Sequence, residues 1–148
     1  MTRWSLPSLG LCLCLAGCDK GRSTDTKSEQ LATAAERVRF LCSYALCPAP
    51  PKDTRFHVVF HDNSRGLLAG PSDLELKAVL RVAPDDLEKW ARGCQPAPVE
   101  ARPAWFDELR LDKGFLPSTA PDGYRCGAER RSIHVRDALV VWWITSAG

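Results

Sequence analysis

Leu31, Ala34, Ala35, Val38, Leu41, Cys42 and Ala45 recur at helical spacing, with Glu36, Arg37 and Arg39 off that stripe. Apolar positions three and four apart share one face of a helix, so the pattern predicts an amphipathic helix. Thr26 and Glu29 have capping-box spacing, which places the helix start at Thr26. Pro48 ends it, and Pro48-Ala49-Pro50-Pro51 makes a stiff, extended exit. The period then changes to two. Phe56, Val58 and Phe60 alternate with Arg55, His57, Val59 and His61, which predicts a strand over 55–62. Leu74, Leu76, Ala78, Leu80 and Val82 alternate with Asp73, Glu75, Lys77 and Arg81, which predicts a second. An antiparallel pair with one wetted face accounts for both.

Pro84 suits the first position of a helix, and Asp85, Asp86 and Glu88 suit its positive end. Leu87, Trp90 and Ala91 share a face there, and Gly93 stops the helix. Residues 96–103 read as a linker. Trp105, Phe106 and Leu109 suggest another short helix, and 117–127 reads as loop. At the C-terminus Ile133 and Val135 oppose Ser132, His134 and Arg136, with a turn at Asp137-Ala138. Residues 139–144 are apolar at nearly every position, as in a strand covered on both faces. Trp142 and Trp143 then project to opposite sides, and the second ring is expected under a helix. The predicted fold is a single small α+β domain. An antiparallel sheet of about four strands packs with two or three helices, in the order α-β-β-α-(α)-β-β.

Charge excludes one class of function. The chain has 20 basic and 18 acidic residues, a formal +2. A dedicated nucleic-acid binder would carry a basic face, so no nucleic-acid partner is expected.

The N-terminus changes the picture most. Arg3 is followed by a mostly apolar run over 4–15, with the small residues Ala16 and Gly17 just before Cys18. The run is shorter than the roughly 20 residues that span a hydrocarbon core. Leu15-Ala16-Gly17-Cys18 resembles the lipobox of bacterial lipoprotein precursors. The resemblance covers residues 1–18 only, and it implies that 1–17 are removed and that Cys18 is lipidated. Cys12 and Cys14 follow leucines and do not fit the pattern. Asp19 resembles the residue that retains enteric lipoproteins in the inner membrane, but the choice of membrane stays open. The implied location is the bacterial cell envelope, lipid-anchored at the inner or outer membrane or at the cell surface. Residues 18–27 then form a lipidated flexible tether, polar from Asp19 on and reaching about 30 Å. The folded domain is expected over 28–148.

With Cys12 and Cys14 in the signal and Cys18 lipidated, Cys42, Cys47, Cys94 and Cys126 remain. An even number in an oxidising compartment predicts two disulfides. A Cys42–Cys47 bridge is disfavoured if both lie in the helix, because i and i+5 face different ways. Pairing of each with a later cysteine is the expectation. A zinc site is the rival, but the spacing is poor for it.

Catalytic chemistry is thinly represented, and neither an enzyme nor a cofactor is expected. His57 and His61 have i, i+4 spacing, but on a strand they stand about 13 Å apart and cannot share a metal. His61 or His134 could serve a small envelope hydrolase, although no GxSxG elbow is present. The long connection over 63–71 is the more suggestive stretch. Arg65, Leu67 and Leu68 form a candidate partner-binding loop, and the leucines equally suit a plug over the sheet edge. The expected function is a membrane-anchored, non-enzymatic module that binds another envelope protein. A specific version is an inhibitor or immunity-type protein acting against a toxin or hydrolase.

Overall fold

Two stretches of this chain spell Thr-x-x-Glu, and only one of them caps a helix. At Thr33 the hydroxyl accepts a hydrogen bond from the Glu36 amide at 3.2 Å, and the Glu36 carboxylate accepts from the Thr33 amide at 2.9 Å. Helix α1 therefore runs over Ala34–Tyr44. At the earlier copy, Thr24–Lys27 is instead a strand, β1, paired antiparallel to β2, Asp53–His61. The computed structural model describes residues 23–63, 70–100, 102–118, 122–127 and 130–146.

The remaining elements are β3 (Asp73–Arg81), α2 (Leu87–Ala91), β4 (Gln95–Pro96), β5 (Gly123–Cys126), β6 (Arg131–His134) and β7 (Leu139–Ser146). All seven strands join one antiparallel sheet in the order β1-β2-β3-β7-β6-β5-β4. This overturns the expected sheet of about four strands packed with two or three helices. The described chain is mostly sheet, with one helix of 11 residues, one of 5 and short 3₁₀ turns. The strands missing from the expectation are β1, β4 and β5. They lie at or next to the sheet edges, where backbone hydrogen bonds hold them and side chains need not alternate. Thr24–Lys27 has no apolar residue and reads as tether, yet it belongs to the sheet. The folded part therefore starts before residue 28.

Register decides which side chains share a face, because directly paired residues point the same way. The pairs Phe56↔Ala78, Ala78↔Trp142, Leu80↔Val140 and Val140↔Ile133 put one apolar set on one face. Leu41 of α1 and Trp90 of α2 complete that core. The Trp90 and Trp142 rings meet edge to face at 5.8 Å, and Phe40 stacks on Phe56 at 5.4 Å. The other face was expected to be wet along β2 and β3. It instead carries a second core of Val79, Leu139 and Val141, covered by Phe106, Leu109 and Phe115. These three come from the 3₁₀ turns Ala104–Leu109 and Lys113–Phe115. Val79 breaks the strict alternation of β3 for this reason. The apolar run of β7 is covered on both faces, as its composition requires.

A polar cluster ties the layers together. Arg37 of α1 donates two hydrogen bonds to the Asp53 carboxylate, at 2.9 and 3.0 Å. Arg55 bridges Asp53 at 3.2 Å and Asp112 at 3.0 Å, with its guanidinium 4.5 Å from the Phe115 ring centre. Burial alone would raise the Asp53 pKa. The Arg37 and Thr54 hydrogen bonds and the two arginine charges outweigh it and hold the carboxyl below its usual range.

Candidate functional site

The turns over 104–109 and 113–115 cover only part of the second face. Beside them lies an open cleft of about 1300 Å³. Its floor follows from register. Lys77 pairs with Trp143, Val141 with Ser132, Ser132 with Arg125, and Arg125 with Gln95. These side chains form two adjoining rows on the same face of β3, β7, β6, β5 and β4. The wall comes from the 3₁₀ turn, whose buried Phe106 seats it on the sheet. Trp105 and Glu108 of that turn line the cleft, and the Trp105 ring rests edge-on against Phe106 at 4.9 Å.

The charges in the cleft are unevenly matched. Lys77 Nζ lies 2.7 Å from a Glu108 oxygen and 3.2 Å from a Glu75 oxygen. Burial works against its charge, but hydrogen bonds to the two glutamates prevail and raise its pKa. Arg130 packs its guanidinium 4.6 Å from the centre of the Trp143 ring. Neither it nor Arg125 has an ion-pair partner among the described residues. Trp143 Nε1 is shielded from solvent and has no hydrogen-bond acceptor among the described residues.

The residues singled out from the sequence fall elsewhere. Cys18, Arg65, Leu67 and Leu68 lie outside the described residues. The four remaining cysteines form two disulfides, Cys42–Cys47 and Cys94–Cys126. This corrects the expectation that Cys42 and Cys47 each pair with a later cysteine. Helix α1 ends at Tyr44 and Ala45 is already extended, so Cys47 sits outside the helix with its Cα 5.6 Å from that of Cys42. Cys94 follows Gly93, whose φ of 77° lets the chain turn out of α2 toward β5.

The histidines are not brought together. His61 is exposed at the end of β2, and His57 Nε2 lies 2.7 Å from Asp25 Oδ1. His134 is 1% exposed on β6, and neither of its ring nitrogens has a hydrogen-bond partner among the described residues. Burial pushes its pKa down, opposed by the charge of Asp137. No hydroxyl or carboxylate of the described residues stands in hydrogen-bond range of it, so no triad is assembled there. Gly123, opposite His134, closes this region. A side chain at that position would run into the Ile133 carbonyl and Val99.

Sequence reasoning missed the cleft. The alternation in β3 does place Glu75 and Lys77 together, and the Trp142-Trp143 pair does send one ring to each face. The second ring was expected under a helix. Trp142 is the one beneath α2, through Trp90, and Trp143 floors the cleft. No protein-family model, no curated protein and no solved structure matches the chain.

Proposed function

We propose that this chain is a lipid-anchored protein of the bacterial cell envelope that binds another protein through the cleft on the second sheet face. The anchor is a diacylglyceryl group carried on the sulfur of Cys18, in keeping with the lipobox-like Leu15-Ala16-Gly17-Cys18. Two disulfides fit an oxidising compartment. The observation that carries the binding role is the cleft itself. At about 1300 Å³ it is larger and more open than sites for small molecules, which run about 300–1000 Å³. It suits a segment of a macromolecule better than a metabolite. Nothing in the arrangement of His61 and His134 favours a hydrolase.

The test is in-cell crosslinking followed by purification of the full-length chain from its own membranes, with fatty-acid labelling in parallel. The wild-type chain takes the label, Cys18→Ser does not, and an envelope protein crosslinks to the former. Labelling that survives Cys18→Ser overturns the anchor. Absence of any crosslinked envelope protein overturns the binding role.

A further inference from the structure

We infer that the cleft receives an acidic peptide segment of the partner, with a carboxylate held by Arg125 and Arg130 and a side chain laid on Trp143. This rests on the binding-module reading above and gives that site its ligand chemistry. The argument starts from charge. Six charged groups line the cleft, Lys77, Glu100, Glu108, Arg125, Arg130 and Arg131, and the last is engaged by the Cys126 sulfur and the Trp90 and Trp142 rings. Lys77 and Glu108 satisfy each other at 2.7 Å, with Glu75 adding a second carboxylate to the lysine. Arg125 and Arg130 are left over, with Glu100 the one remaining carboxylate of the lining. Arg125 has no ion-pair partner among the described residues, and Arg130 is engaged by a ring face alone. A guanidinium presents a planar fork that matches a carboxylate with two parallel hydrogen bonds, and stacking on an aromatic ring leaves its edge free to do so.

The second observation is independent of charge. The Trp143 ring forms part of the cleft floor. Trp105 brings another ring to the same wall. Indole rings beside arginines, in a concavity, are the composition of an interface centre where a partner's side chains are buried. A neutral glycan would call for several free carboxylate or amide acceptors aimed at its hydroxyls. The cleft offers Gln95 and Glu100, while Glu108 is already occupied by Lys77. Excess positive charge, a ring floor and a large open volume fit an acidic peptide better.

The probe is a displayed library of random heptapeptides, selected on the full-length chain purified in non-ionic detergent. Recovered peptides are expected to hold at least threefold more Asp and Glu than the starting library. Their binding should weaken at least tenfold in Arg125→Glu with Arg130→Glu, and should fall as salt is raised. Arg125→Gln, which removes charge without reversing it, should give an intermediate loss with unchanged thermal unfolding. Arg39→Glu, on the exposed side of α1, should change nothing. Failure to recover peptides, recovery without acidic enrichment, or binding kept by the double variant overturns the proposal. So does binding of soluble peptidoglycan fragments that is indifferent to Arg125→Gln. Crosslinking in membranes and selection on the purified chain fail separately. A crosslinked partner without acidic selection sinks only the ligand chemistry, and the reverse sinks only the envelope partner.

Discussion

Asp53→Asn removes the charge at the centre of the cluster that joins α1, β2 and the 112–115 turn. Arg37 and Asp53 side chains are 13% and 10% exposed, so solvent screens their pairing little. In the variant an amide NH₂ faces a guanidinium N–H. One of the two Arg37 bonds is lost and the other loses its charge assistance. Breaking a buried ion pair by changing one partner costs about 3–5 kcal/mol, because the other charge is left uncompensated. Arg37 keeps the Leu31 and Ala32 carbonyls as acceptors, at 3.1 and 3.4 Å, which points to the lower end, about 3 kcal/mol. At about 4 °C per kcal/mol for a chain of this size, the melting temperature falls by about 12 °C. The acid limb supplies a second readout. The Asp53 carboxyl is held below its usual range, so its stabilisation is present above about pH 4 and is lost as pH falls through the folded pKa. Asp53→Asn should flatten that limb. The assay is thermal and urea unfolding across pH with disulfides intact, and Arg37→Met with Asp53→Asn completes a double-mutant cycle. A fall of under about 4 °C, or costs that simply add in the double variant, would refute a coupled buried pair.

Three further outcomes follow from the same geometry. Burial depresses the His134 pKa, so its neutral ring stabilises the fold above about pH 6.5, and stability drops as pH falls through the folded value. In His134→Leu the slope of unfolding free energy against pH just below 6.5 should shrink, and an unchanged slope counts against it. The Cys94–Cys126 bridge spans 32 residues and Cys42–Cys47 spans 5. Removing the first pair by serine substitution should cost about 4 kcal/mol and the second about 2, from loop-closure entropy, in non-reducing urea titrations. The reverse order would contradict that account. Trp142→Ala should cost about 3–5 kcal/mol in the same titration, since its ring is buried against Trp90, and a loss under 1 kcal/mol would show the ring to be peripheral.

What was legible in the chain is what local pattern encodes. The alternation of 55–62 and 74–82 marks β2 and β3, and the apolar run of 139–144 marks a strand buried on both faces. The helical stripe locates α1, and the prolines and Gly93 mark where segments stop. Candidate chemistry was less legible, because a site is made by residues far apart in sequence. Lys77, Arg125 and Trp143 share a cleft only through the β3–β7–β6–β5 register.

The sequence by itself determined that the central strands exist, that Trp142 and Trp143 face opposite ways, and that an even set of cysteines remains after Cys18. Only the tertiary structure decided the rest. Thr-x-x-Glu occurs at both Thr26 and Thr33, and pairing with β2 made the first a strand. Cys42 bonds Cys47 because the helix ends three residues before the second cysteine. Edge strands such as β1 and β4 owe their form to a neighbour's backbone, which leaves no period in their own side chains. The second face of the sheet is dry where Phe106, Leu109 and Phe115 reach it and open where Trp143 and Arg125 lie. That boundary is set by where the 104–109 turn lands on the sheet, a long-range contact that no run of adjacent residues encodes.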